Sequence, residues 1–196
     1  MTWRHFLFCL TMSAIATVAS VPGRDASADE RVAAVFGAGL AGERGEARSA
    51  ASASLGVIDR IVVTKSKRRL DLLRGGEVVR SFRVALGRQP RGAKVYEGDG
   101  KTPEGLYWLD ALKPDSRFYK AIRISYPNRS DRDRARHLGK SAGGAIMVHG
   151  VPDDLLSWGA DHYLFNWTEG CIAVTNDEMD VIWNSVRLGT PIEILP

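Results

Sequence analysis

The residues best suited to chemistry are one cysteine and one histidine. Cys171 stands in the run Trp167-Thr168-Glu169-Gly170-Cys171-Ile172-Ala173-Val174, and His149 ends the apolar run Ala145-Ile146-Met147-Val148 and is followed by Gly150. A thiol attacks as its thiolate, and a neighbouring imidazole is the usual means of taking its proton, so a thiol paired with His149 is expected to titrate below about 8.5. Gly170 lets the chain turn tightly and lets a substrate carbonyl come close to the backbone. The N–H groups of Gly170 and Cys171 are then candidate donors to a developing oxyanion. A histidine at a strand end can emerge into a cleft, although His137 and His162 compete with His149 for the role of base.

The compartment bears on what a lone thiol means. Arg4 and His5 precede an apolar stretch, Phe6 to Ala19, and small residues follow to Ser20. A basic start, a short apolar core and a small-residue exit make a secretory signal peptide over residues 1–20. The stretch is shorter than the roughly 20 residues of a spanning helix. Cys9 would leave with it, and Cys171 would remain as the single cysteine in an oxidising compartment, where cysteines normally pair. Such a thiol is either inert and buried or a chemical tool. Residues 60–140 hold 21 Lys or Arg against 9 Asp or Glu, a balance of +12, whereas residues 149–196 hold one Arg against 8 acids, a balance of −7. A basic face of this kind suits an anionic wall polymer or lipid, and export argues against nucleic acid.

Residues 21–56, rich in Ala, Gly, Ser and Arg, read as a flexible linker, and residues 57–196 as one mainly β domain. Strands are expected over Ile58–Thr64, Arg69–Leu73, Val78–Leu86, Gly105–Leu109, Ala121–Ser125, Ala145–Val148 and Pro191–Leu195. Gly75-Gly76 supplies a hairpin turn. Thr175 and Glu178 fit a capping box, and Met179, Ile182, Trp183 and Val186 follow at helical spacing. One helix is therefore expected over about 177–186, ended by Gly189.

Val148-His149-Gly150 followed by Thr168-Glu169-Gly170-Cys171-Ile172 resembles the signature of the L,D-transpeptidase catalytic domain, or YkuD, family. Lys101-Thr102-Pro103-Glu104-Gly105-Leu106-Tyr107 is similar to the family's Thr-Pro-x-Gly turn. Ile124-Ser125-Tyr126-Pro127-Asn128, with Asp131 and Arg134, resembles a Gram-negative periplasmic subgroup with the Trp-Thr-x-Gly-Cys-Ile-Ala signature. The resemblance covers about residues 57–195. It implies a β-rich domain with a few helices, a periplasmic enzyme, a Cys–His thioester mechanism and peptidoglycan stem peptides as substrate, with no metal or organic cofactor. It makes Cys171 the nucleophile, His149 the general base and the Gly150 carbonyl the group that steadies the base. Trp167, Thr168 and Glu169 flank the nucleophile as candidate substrate contacts.

Two positions depart from the commoner pattern: Glu169 where many members have His, and Ala173 where many have Arg. Both leave the acylation pair intact and change how a substrate carboxylate is held. Among the arginines after the fifth expected strand, Arg123, Arg129 and Arg134 are candidates to replace the missing one, against the plainer reading of a solvated loop laced with Asp131 and Asp133. The outcome then lies between cross-linking or exchange and hydrolysis, including release of a wall-attached lipoprotein. The alternative from another class is a catalytically retired peptidoglycan-binding module, whose mark would be loss of Cys171 or His149. No H-E-x-x-H or C-x-x-C pattern supports a metal hydrolase. The order His then Cys is opposite to that of papain-like enzymes, and the single Arg after Cys171 does not fit a sortase.

Overall fold

The computed structural model describes residues 55–196; the expected signal peptide and nearly all of the expected linker lie outside them. Eight strands run in the order β3-β2-β1-β8-β4-β5-β6-β7. They are β1 (Arg60–Thr64), β2 (Arg69–Arg74), β3 (Glu77–Arg83), β4 (Gly105–Ser116), β5 (Tyr119–Ile124), β6 (Met147–His149), β7 (Ile172–Ala173) and β8 (Pro191–Leu195). Two helices, α1 (Arg129–His137) and α2 (Asn176–Ser185), and a 3-10 stretch (Asp153–Leu164) complete the regular structure beyond a short 3-10 turn at Lys65–Lys67. The chain is mainly β, as its composition and spacing predict.

The central strands alternate as half-buried strands should. Ile61 and Val63 of β1, Leu70 and Leu72 of β2, and Ile192 and Ile194 of β8 point into one core with Tyr107, Leu109, Ile122 and Ile124. Strand β8 pairs parallel with β1 and antiparallel with β4, so the last strand sits in the middle of the sheet. The β2–β3 hairpin turns at Gly75 and Gly76, whose φ values of 61° and 84° are the left-handed pair a tight hairpin needs. The segment after β3 closes on the far side of the sheet: Ala85 bridges Ala173 and Gly87 bridges Thr168. The sheet's two ends are thereby joined beside Cys171.

Helix α2 begins one residue earlier than its spacing suggests and is held by the predicted box, Thr175 Oγ1 accepting from Glu178 N and Glu178 accepting from Thr175 N. It ends at Ser185 rather than at Gly189. Gly189, with φ 87°, instead shapes the turn into β8, and its N–H donates to the Leu109 carbonyl at 2.7 Å. The β4–β5 hairpin is longer than expected, because its tip is polar and irregular, with register shifts after Leu109 and Lys113.

The segment after β5 is a helix, not a loop. Asn128 and Asp131 cap it reciprocally, and Asp131, 1% exposed, also accepts from the buried Tyr107 hydroxyl at 3.0 Å and pairs with Arg134. One buried carboxylate thus ties α1 to β4. Replacing it leaves a phenol and two backbone or guanidinium donors without their acceptor. Asp131→Ala is expected to destabilise the domain by about 3 kcal/mol, read from denaturant or thermal unfolding, with Arg132→Ala on the exposed face close to neutral.

Candidate active site

Strands β6 and β7 run parallel, with Val148 opposite Ile172 and His149 opposite Ala173. In that register Cys171 lies two positions back from His149's partner. Alternation therefore sends both side chains to the same face of the sheet. They emerge into one cleft of about 670 Å³, whose lining also includes Arg117, Phe118, Leu155, Trp167 and Glu169. Pairing thus brings together two residues 22 positions apart that the sequence could only nominate.

The imidazole is fixed on several sides. His149 Nδ1 lies 2.7 Å from the Gly150 carbonyl. If Nδ1 carries the proton, it donates to that carbonyl and leaves Nε2 as the acceptor. Phe118, at the tip of the β4–β5 hairpin, stacks on the ring at 4.5 Å and 30°, and Trp167 meets it edge-on at 5.5 Å. Gly150 cannot be larger: a Cβ there would lie 2.4 Å from Asn176 Oδ1 and 3.1 Å from the Phe118 carbonyl. Asn176 Oδ1 accepts from Val151 N at 2.7 Å, so the first residue of α2 secures the backbone that presents the Gly150 carbonyl. Neither Asn176 nor Phe118 carried any signal in the sequence.

The turn before β7 is as tightly specified. Thr168 is buried, and its Oγ1 donates to the Cys171 carbonyl at 2.8 Å while accepting from Gly170 N at 3.2 Å. Gly170 has φ 126°, and a Cβ on it would meet the Lys101 carbonyl at 2.4 Å. Cys171 Sγ lies 3.7 Å from the Ala145 carbonyl. The loop that brings Lys101 here is itself pinned by a buried pair, Lys94 with Asp99 at 2.9 Å.

Burial dominates the electrostatics. His149, 2% exposed, is pushed down to about 4 because an imidazolium would be stripped of water there; the Gly150 carbonyl opposes the shift, and the charges of His162 and Arg117 add to it. Burial likewise raises the Cys171 thiol, against smaller pulls from the Met147 N–H and Lys94. This corrects the expectation of a thiol titrating below the free value. Both shifts thus favour the uncharged forms, thiol and imidazole.

The remaining nominated residues scatter. Arg123 pairs with Asp110 at 2.7 Å on the exposed side of the hairpin, Arg134 pairs with Asp131, and Arg129 starts α1 at the surface. None of the three lines the cleft. Glu169 does, and its carboxylate pairs with Arg88. Ala173 is fully buried between its neighbours on β6 and the segment at Ala85. His137 ends α1 at the surface, and His162 is buried in the 3-10 stretch with neither ring nitrogen hydrogen-bonded to protein.

A family model for the L,D-transpeptidase catalytic domain (YkuD) matches residues 58–194. The chain belongs to that family. It is 36% identical over 132 residues to a protein of Escherichia coli (strain K12) named "Putative L,D-transpeptidase YafK", an alignment covering 64% of this chain and 46% of that protein. The chain thus spans about half the length of the curated relatives it matches. Among solved structures, the helical cell shape determining protein Pgp2 from Campylobacter jejuni aligns with a TM-score of 0.54 at 27% identity, over 75% of this chain and 53% of that one. Bd1075 of Bdellovibrio bacteriovorus, at 23% identity and a TM-score of 0.50 over 74% of this chain and 49% of its own, shares the fold. No helix among the described residues is long and apolar enough to cross a membrane.

Two outcomes follow for the domain. Gly150→Ala is expected to cost about 1–3 kcal/mol by overpacking and to disturb the His149 ring, seen as a shift of its imidazole resonances by NMR. The depressed His149 also links stability to pH. Between 6.5 and about 4 the unfolded chain takes a proton that the folded chain refuses. The contribution of His149 should therefore be full above pH 6.5, fall by up to about 3 kcal/mol as the pH drops through that window, and level off below it, with His162, also lowered by burial, adding to the same decline. Thermal melts from pH 7.5 to 4 should show a shallower decline in His149→Gln.

Proposed function

We propose that this chain is exported to the periplasm and performs acyl transfer on peptidoglycan stem peptides through a Cys171 thioester. The observation that carries the reading is the convergence of a thiol and a carbonyl-anchored neutral imidazole in one cleft. In this scheme His149 Nε2 takes the thiol proton as Sγ attacks the carbonyl of a bond between an L-centre and a D-centre. The proton then passes to the departing amine, and a D-amino acid leaves. An amine or water resolves the thioester, giving exchange and cross-linking or hydrolysis. A base held to about 4 by burial stays unprotonated across the physiological range. It takes the proton in the transition state rather than by forming a standing ion pair.

Gly170 N–H is committed to Thr168 Oγ1, so the oxyanion falls chiefly to the Cys171 N–H, for which the described residues supply no acceptor. This narrows the pair of donors that the sequence nominates. Trp167 and Thr168 wall the cleft beside the thiol, and Trp167 also confines the base. Hydrolysis of a wall-peptide bond, including release of an attached lipoprotein, is the favoured outcome. Ala173 supplies no cation on the strand after the thiol, and Glu169, paired with Arg88, stands at the cleft's rim, so the family's usual grip on a cross-linking partner's carboxylates is absent from that strand. A part in shaping the cell wall accords with the likeness to Pgp2, a cell shape determining protein.

Purified sacculi, some bearing lipoprotein, and disaccharide tetrapeptides test the scheme in parallel, with products identified by mass. Freed protein or shortened stem peptides are expected, with turnover abolished in Cys171→Ala and reduced at least about a hundredfold in His149→Ala. Dimers from tetrapeptides with nothing released would assign cross-linking instead. Turnover by Cys171→Ala would overturn the thioester.

A further inference from the structure

We propose that Arg117, at the tip of the β4–β5 hairpin, is the residue that binds the carboxylate of an acid-terminated peptide in the cleft. The proposal rests on reading the cleft as a peptide-processing site, and it assigns the selection of a free acid over a blocked end. The charged residues lining that cleft are Arg117, Asp154 and Glu169. Glu169 is already paired with Arg88. Arg117 forms no ion pair with any described residue, Asp154 included, and the cation is thus left available to a ligand.

Its position is built rather than incidental. The guanidinium lies over the Phe118 ring at 4.5 Å, and that ring also stacks on His149 at 4.5 Å and meets Trp167 at 6.2 Å. A guanidinium held over an aromatic ring spends none of its N–H groups on that contact, which leaves them to meet a carboxylate with two parallel hydrogen bonds. The charge also reaches the base, since Arg117 contributes to keeping His149 neutral. The other nominated guanidiniums are engaged or remote: Arg123 with Asp110, Arg134 with Asp131, and Arg129 at the start of α1. Ala173 is buried and uncharged. Arg117 thus supplies, from the hairpin, the cation that the strand after the nucleophile lacks. A peptide with a free carboxylate close to its scissile bond gains a charge-assisted contact, whereas its carboxamide leaves the guanidinium unmatched.

Two readouts test this. The first needs no turnover: the rates at which iodoacetate and iodoacetamide alkylate Cys171, followed by mass on the Cys171 peptide. Taking the anionic-to-neutral ratio cancels any change in the reactivity of the thiol itself. Arg117→Gln is expected to lower the ratio about threefold to tenfold, and Arg117→Lys to restore part of it. The second is turnover of a stem peptide ending in a free carboxylate against the same peptide as its carboxamide. Wild type should prefer the acid by about tenfold or more in kcat/KM, and Arg117→Gln should erase most of that preference. An alkylation ratio unchanged in Arg117→Gln would overturn the assignment, and so would an acid preference that survives the substitution. If wild type turns over neither peptide, the proposed reaction fails, and the alkylation ratio still decides the role of Arg117.

Discussion

The contact between His149 Nδ1 and the carbonyl of the next residue is the constraint around which the domain is arranged. A buried imidazole has no free choice of tautomer or rotation once one nitrogen is spoken for. Here the acceptor is backbone, so its direction depends on every force that fixes residues 149–151. Three elements supply those forces. Parallel pairing joins His149 to β7, with Val174 N donating to the His149 carbonyl at 3.0 Å. Lys120 on β5 accepts from Gly150 N at 3.1 Å, and Asn176 at the head of α2 accepts from Val151 N. The first turn of α2 therefore serves the site as well as the helix.

Desolvation is the second organising effect, and it acts on both members of the pair in opposite senses. Burial lowers the imidazole and raises the thiol, so each favours its uncharged form at rest. The aromatic enclosure by Phe118 and Trp167 maintains this dryness on the cleft side, and the packed sheet maintains it beneath. Such a pair differs from a standing thiolate–imidazolium couple.

The closure of the sheet explains why a short strand of two residues suffices beside Cys171. β7 is held on one side by β6 and on the other by the segment at Ala85, with Ala85 and Ala173 exchanging hydrogen bonds at 2.9 and 3.0 Å. The approach is close enough that Gly87 could carry no Cβ, which would fall 2.3 Å from the Gly100 carbonyl. The loop between β3 and β4 thereby packs onto the turn at Gly170, and its buried Lys94–Asp99 pair and the bond from Lys65 to its Glu104 keep it there.

Much of the fold was legible because its signals are local. Alternating Ile and Val in β1 and β8, Gly75-Gly76 and the Thr175–Glu178 box each declare their element within a few residues. Family motifs pointed to Cys171 and His149 for the same reason. Helix α1 was illegible because only Ala135 and Asp131 of its nine residues are buried, which leaves no apolar period to read; caps and one carboxylate under Tyr107 hold it. The polar arm of the β4–β5 hairpin hid in the same way. It carries Arg117 and Phe118 to the cleft, whereas sequence proximity favoured Arg123, Arg129 and Arg134. Protonation states were beyond the sequence too, since the burial that sets them is a property of the whole packed sheet. The chain's own order of residues thus determined which groups could react. Only tertiary structure decided how dry they are and which arginine faces them, because burial and cross-hairpin approach arise from contacts between distant segments.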